Sequence, residues 1–462
     1  MSAPPEPIDL LVAADFLYPM TEGLPVIAGG EVAIKDGRIL HAGAARPRGT
    51  WAPAETLGGA GTAVLPGFVN CHSHAASLVF RSQSDDGLGG QALYTIAFRM
   101  EKDIGDDEWH ELALLGCADM IRAGVTTIND IWYAPDRLAA AVEACGLRAS
   151  IANKVFDVNL EELHRRDYTR VPGKGEARLA DGVAFAKSWH GRAHGRITAR
   201  IGTHASDTCD AGLLREARGE ATRLGVGMHV HAAQSRQEAD YIRATHGCGP
   251  LAYLRDVGLL APDVVAAHLT FADTADLDAV AETGARYAHC PIIYPRRGVY
   301  PPLWDIATRE IPIGFATDWM QNDPFEGMRN ALNAMRLLQN THRALECRDA
   351  LRLQTAGSAR VLGLEAEIGT LAPGKQADLI VVDLDKPHLQ PFYGDYPALV
   401  YYAKTEDVVA SVVAGRIIMR DRRILGFDAD AALAAVKRRM PRWRGLLRDL
   451  GSPALAGDAC LC

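Results

Sequence analysis

Leu65-Pro66-Gly67-Phe68-Val69-Asn70-Cys71-His72-Ser73-His74 is the stretch on which the fold turns. An apolar run enters it and a His-x-His leaves it. Residues two apart in an extended strand point to the same face. His72 and His74 therefore aim two imidazoles at one point, the arrangement a borderline-soft divalent metal needs. Two hydrogen-bonded histidines at a strand end would look the same, so the reading depends on what lies downstream.

Downstream, strand-like and helix-like segments alternate, the pattern of βα units and a parallel sheet. The strand candidates are 65–70, 124–130, 147–156, 196–203, 226–231, 264–268, 285–290 and 311–318, with helical patterns such as 108–123 and 211–224 between them. Eight alternations predict a closed (β/α)8 barrel, in which chemistry sits at the carboxyl ends of the strands. The polar residues fall there. The fifth candidate ends in His229-Val230-His231, the sixth in His268, the seventh in His289-Cys290-Pro291 and the eighth in Thr317-Asp318. One histidine at a strand end is ordinarily just hydrogen-bonded. Several strands all closing on His or Asp point to a shared site.

The chain ends read differently. Residues 32–40 form two β-runs around Asp36-Gly37, a hairpin signal. Residues 377–383 and 408–419 are again β-rich, the latter with a Gly turn. The two ends are expected to join in one small β-sandwich. The predicted division is 1–60 and 366–426 for the sandwich, 61–365 for the barrel, and 427–462 for a C-terminal helix and tail. At 462 residues the chain exceeds one small core. It is 48% hydrophobic and 23% charged, with net charge −8 and no long basic run, which argues against nucleic acid or an anionic membrane surface as partner. No apolar stretch reaches the roughly 18–20 residues of a spanning helix. No secretory leader is read, because Asp9 and Asp15 interrupt the first apolar run. Nine cysteines without paired spacing, Cys460-x-Cys462 excepted, suit reduced thiols and a cytoplasmic protein.

With these residues together, the sequence resembles the amidohydrolase superfamily, and within it the clan of metal-dependent deaminases and triazine hydrolases. The resemblance spans nearly the whole chain. It is carried by Pro66 to His74, Ala123-Gly124-Val125-Thr126-Thr127, Gly202-Thr203-His204-Ala205, His229-Val230-His231, Ala267-His268, Ala288-His289-Cys290-Pro291, Ala316-Thr317-Asp318 and Ile368 to Leu379. It implies one divalent metal held by His72, His74, His231 and Asp318. Zinc is expected, with Fe2+, Co2+ or Mn2+ as alternatives. Asp318 and His268 would be catalytic, His289 would lie in or behind the pocket, and His229 would be structural. A homodimer or larger assembly is implied by the resemblance alone. Binuclear relatives carry a carboxylated lysine on the fourth strand. Residues 196–203 contain none, which favours one metal; Lys154, on the third candidate strand, would return as a bridging ligand only if the strand count slipped.

Two departures stand out. Three residues past the ligand histidine the clan carries a glutamate that protonates a ring nitrogen, and this chain has Gln234. An amide donates a hydrogen bond but shuttles no proton at neutral pH. After His289-Cys290-Pro291 the small polar residues of the clan give way to Ile292-Ile293-Tyr294. Phe80, Trp132, Tyr133, Tyr294, Trp304 and Trp319 follow strand ends and predict an aromatic-walled pocket, while Arg296-Arg297 either bind an anionic substrate group or, the commoner case, are exposed loop arginines. Gln234, His268 and His289 are the expected polar contacts to a small-molecule substrate, and Gln234 is counted with Asp318 and His268 among the catalytic residues. The departures favour a hydrolase of a small, largely apolar urea, carbamate or amide. The alternative is an aminohydrolase or dehalogenase of an N-heterocycle such as a triazine, pterin or purine. A non-catalytic binding protein of the same fold would be expected to have broken ligands, and here all are present.

Overall fold

The computed structural model describes residues 4–83, 85–86 and 88–455; Cys460 and Cys462 lie outside them. Its centre is a parallel sheet of eight strands. These are β1 (Phe68–His74), β2 (Val125–Trp132), β3 (Arg148–Val155), β4 (Ile197–Ala205), β5 (Met228–Ala232), β6 (Val264–His268), β7 (Arg286–His289) and β8, which comes in two pieces, Ile313–Phe315 and Asp318–Trp319. Neighbours in sequence are neighbours in space. The first piece of β8 pairs with β7 and the second with β1, where Asp318 lies opposite Ser73 and Trp319 opposite His74. The last strand thus closes the barrel onto the first.

Helices fill the crossovers as the alternation predicts, beginning with Asp106–Arg122, Pro135–Cys145 and Lys174–Trp189. The first packs closely on the end of β1. A Cβ on Gly116 would stand 2.0 Å from the carbonyl oxygen of Ala75, so only glycine lets that helix lie so near the His-x-His segment.

Both ends of the chain meet in a second, mixed sheet of eight strands. Its order is Arg423–Ile424, Arg416–Arg420, Val408–Val413, Leu379–Asp383, Trp51–Pro66, Glu6–Leu17, Ile27–Lys35 and Arg38–Ala44. The two halves join where Leu379–Asp383 runs antiparallel to Trp51–Pro66. Both expected hairpins form. Asp36 and Gly37 in one, and Ala414 and Gly415 in the other, have positive φ at both turn positions, the conformation that matches the twist of paired strands. Leu10, Val12, Ile34, Val64, Leu379 and Val412 bury a common apolar core for this sheet.

Strand Trp51–Pro66 passes into β1 through Gly67 alone. A buried ion pair adds a second tie: Arg148, at the start of β3, donates to both carboxylate oxygens of Asp378, at 2.9 and 3.0 Å. The helix Ala429–Asp449 packs back on the first barrel helix, with Trp443 Nε1 donating to Glu108. The described cysteines carry no disulfide. No helix among the described residues is long and apolar enough to cross a membrane.

Candidate active site

Each expected ligand histidine has one ring nitrogen committed and the other directed inward. His74 Nδ1 donates to the carbonyl of Ile131 at 2.9 Å. His231 Nδ1 donates to the carbonyl of His204 at 2.6 Å. His72 Nδ1 lies 2.8 Å from His229 Nε2. The three remaining Nε2 atoms converge: that of His231 is 3.3 Å from that of His74, and those of His72 and His74 are 3.3 and 3.6 Å from Asp318 Oδ1. Ligand atoms of His72, His74 and His231 all lie within 4.8 Å of one another, as do those of His72, His268, Cys290 and Asp318.

The donor set fits a divalent cation. Three imidazole nitrogens and one carboxylate are a zinc-type constellation, and each committed Nδ1 supplies the outer hydrogen bond that metal-binding histidines need. His72 Nε2 is buried without a hydrogen-bond partner among the described residues, a cost that a bound cation removes. Burial drives the pKa of His74 and of His231 well below the ordinary histidine value, with neighbouring histidines pushing the same way, so both are neutral, the form in which an imidazole can ligate a cation. Burial alone would raise Asp318, but the imidazoles of His268 and His72 beside it outweigh burial and hold the carboxyl well below its usual range.

The sequence reason for this convergence is the period of the strands. His72 and His74 share a face, as do His229 and His231. The earlier member of each pair sits one layer deeper, and the deeper His229 is wholly buried and supports His72. Asn70 fixes the closure: its amide donates to Thr317 Oγ1 at 2.7 Å and its oxygen accepts the Thr317 N–H at 3.0 Å, beside Asp318. Both Asp318 (φ 63°) and His268 (φ 85°) are in left-handed backbone conformations. For residues with side chains these are costly and concentrate at functional sites.

A cavity of about 200 Å³ opens above the cluster. Of the expected pocket residues, Gln234, His268, Tyr294, Trp319 and Trp132 line it. Tyr294 also donates to the carbonyl of Gln234 at 3.1 Å, and its ring centroid is 5.4 Å from that of His268. Two expected contacts stand behind the wall. Phe80 is fully buried and packs on Trp319 with centroids 5.4 Å apart. His289 is fully buried between Tyr287 (2.8 Å) and Tyr300 (2.9 Å). Tyr287 in turn donates to the carbonyl of His268 at 3.0 Å, so His289 reaches the site only through the peptide that carries His268.

Sequence reasoning missed Glu101 and His204 as cavity residues, and saw in Lys154 only a metal question. Lys154 Nζ is 3.2 Å from Glu101, which also accepts from Tyr133 at 2.7 Å. The ammonium lies within 4.7 to 4.9 Å of the ring centroids of Phe98, Trp132 and Tyr133. Lys154, on β3, is thus engaged by Glu101 and three aromatic rings. Glu101 comes from a short helix before the first crossover helix, where no periodic signal marks it; Gly202-Thr203-His204 was visible as a motif, without a role.

A family model described as "Amidohydrolase family" matches residues 63–418. The chain belongs to the amidohydrolase family. Among curated relatives, a 5-methylthioadenosine/S-adenosylhomocysteine deaminase of Desulforudis audaxviator is 35% identical over 417 residues, 88% of this chain and 94% of that protein. A 5′-deoxyadenosine deaminase of Methanosarcina acetivorans is 31% identical over 432 residues, 92% and 96% of the two chains. Among solved structures, an adenosine deaminase from Xanthomonas campestris with bound zinc superposes with a TM-score of 0.86 at 27% identity, covering 96% of this chain and all of that one. The zinc complex of an atrazine chlorohydrolase from Arthrobacter aurescens matches at a TM-score of 0.81 and 20% identity, over 94% of this chain and 100% of the other, which speaks for the fold. This amidohydrolase is a metal-dependent enzyme that hydrolyses C–N bonds other than peptide bonds in small molecules.

Proposed function

We propose that this amidohydrolase is an aminohydrolase, loaded with a single zinc ion, that releases ammonia from a planar N-heterocycle bearing a polar substituent, with purine-type compounds as the first candidates. The observation that carries this reading is the composition of the cavity wall. Aromatic Trp132, Tyr294 and Trp319 suit a flat ring, but Glu101, Lys154, His204 and Gln234 share the lining. A buried charged pair beside the substrate would be poorly matched by a largely apolar urea. The substrates named for the curated relatives, 5′-modified adenosines, are of the amphipathic kind.

His72, His74, His231 and Asp318 would hold the cation, and Lys154, bound to Glu101, would take no part in it. A cation held there would acidify a bound water from a pKa of about 15.7 toward about 7. Asp318, ionised, accepts the proton of the attacking water and returns it to the departing amine. Burial lowers His268 to about 3, against the pull of Asp318, so it acts as a neutral imidazole that hydrogen-bonds the substrate. Its Nδ1 is 3.8 Å from Asp318 Oδ2. Gln234 donates a hydrogen bond to the ring or its carbonyl without transferring a proton.

Gln234 also favours a second reading, a urea, carbamate or amide electrophilic enough without ring protonation. A substrate panel separates the two. Ammonia release from aminopurine nucleosides, aminopterins or aminotriazines supports the first, and amine release from phenylureas, carbamates or anilides the second. Turnover confined to the latter overturns the proposal. His72→Ala and Asp318→Asn are expected to abolish turnover and to lower the zinc content of the purified protein.

A further inference from the structure

The loop after β7 carries Arg296 and Arg297, and the structure gives them opposite surroundings. Arg296 is neutralised: its guanidinium meets Asp85 at 3.1 Å and Glu326 at 2.8 Å. Arg297 lines the cavity, and no carboxylate lies within ion-pair distance of it among the described residues. Its Nε is buried with no hydrogen-bond partner among them. Its guanidinium carbon sits 5.8 Å from the ring centroid of Tyr294, the same ring that stands 5.4 Å from His268. The Tyr294 ring thus neighbours both Arg297 and His268.

The other lining charges differ. Lys154 is paired with Glu101 at 3.2 Å, and Asp318 faces the histidines. Arg236, exposed at the rim, lies 5.3 Å from the ring of Phe271, also a lining residue, and meets no carboxylate among the described residues. The loop side of the cavity therefore holds two guanidinium groups, Arg297 and Arg236, with no carboxylate partner among the described residues. A planar guanidinium with free donors recognises carboxylate or phosphate through paired hydrogen bonds.

We infer that Arg297 is an anion-recognition residue of the substrate pocket, and that the substrate carries an oxyanionic substituent at the end remote from the bond that is cut. The inference rests on reading this cavity as the substrate site, though not on which C–N bond is hydrolysed there. Arg297 is a specificity residue. It touches the anionic substituent and not the reacting atoms.

The test uses the zinc-loaded full-length protein and a matched pair of probes, benzoate and benzamide, which share shape and differ in charge. Binding is followed by calorimetry, so no turnover is needed. Benzoate is expected to bind roughly tenfold tighter than benzamide, the scale of one charge-assisted hydrogen-bonded contact. Arg297→Met is expected to abolish that preference, Arg297→Lys to restore part of it, and Arg236→Met to change it by about twofold or less. A preference that survives Arg297→Met would put the carboxylate on the cation or another group and overturn the inference. So would equal affinity for the two probes, or no measurable binding of either. Loss of the preference in Arg297→Met together with silence toward every aminoheterocycle would leave this inference standing and remove the proposed reaction instead.

Discussion

His72 differs from His74 and His231, the other two proposed ligand histidines, in what holds it. His74 and His231 donate to backbone carbonyls, whereas His72 depends on a side chain, His229. If Nε2 of His72 binds the cation, its Nδ1 carries the proton and His229 Nε2 accepts it, which leaves His229 Nδ1 as a buried donor without a partner among the described residues. His229→Phe removes the acceptor, and zinc affinity measured by chelator competition should fall about 10- to 100-fold. His229→Asn keeps an acceptor and should recover part of it; unchanged affinity in His229→Phe would make the contact incidental. Gln234 permits a second residue-scale prediction. Under the proposed reaction Gln234→Glu supplies the missing proton donor, and kcat/KM for an aminopurine should rise roughly tenfold or more, most strongly at acidic pH where the new carboxyl holds its proton. A fall in ammonia release would show that the amide itself is required. Which residues could be read from the sequence follows from the same geometry. His72, His74, His231, His268 and Asp318 were legible because strand period and strand ends fix them. Glu101 was not, because an irregular segment brings it in, and of Arg296-Arg297 the sequence marks the pair without telling which of the two faces the cavity.

At the scale of elements, all eight barrel strands begin within three residues of their expected positions. The eighth was expected to be continuous over 311–318. It breaks after Phe315 because Asp318 and Met320 adopt positive φ, a conformation that hydrophobic patterning does not encode. The same break turns the carboxylate inward. β2 meets β1 through Asp130, whose Oδ2 accepts the Ala75 N–H at 2.7 Å and Ser73 Oγ at 3.3 Å. Its Oδ1 has no partner among the described residues, and burial raises its pKa to about 7, against about 3.9 for a free aspartate. Between those values the folded chain holds a proton that the unfolded chain has released. The stability this contributes is therefore complete below about pH 4 and lost as pH climbs through 7. In metal-free protein, where no cation biases the carboxyl, the thermal midpoint should fall between pH 5 and 7.5. Asp130→Asn, which cannot ionise and still accepts from Ala75, should flatten that fall. A slope identical in both proteins would assign it to other groups.

At the scale of the whole molecule, the question is how a barrel and a sheet built from both chain ends stay in fixed relation. The hairpins at each end were legible from Asp36-Gly37 and Gly415. That Trp51–Pro66 and Leu379–Asp383 pair across more than 300 residues was expected only as a joining of ends, without register. The buried tie between Arg148 and Asp378 was not read at all, since neither residue stands out until the fold brings them together. Arg148 starts β3, at the end of the barrel opposite the histidine cluster, and Asp378 also accepts the Ala414 N–H at 2.7 Å, so one carboxylate binds barrel, strand and hairpin. Arg148→Met would leave that carboxylate buried and unpaired, at a cost of about 3–5 kcal/mol, read as a lower midpoint in urea unfolding. Adding Asp378→Asn removes the stranded charge yet keeps an acceptor for Ala414, so the double variant should recover part of the loss. Zinc affinity should stay within about twofold of the parent in both variants, because the two sites share no ligand or hydrogen bond. If Arg148→Met instead emptied the metal site while leaving the unfolding midpoint unchanged, the sheet of the chain ends would be shaping the active site and not merely anchoring the barrel.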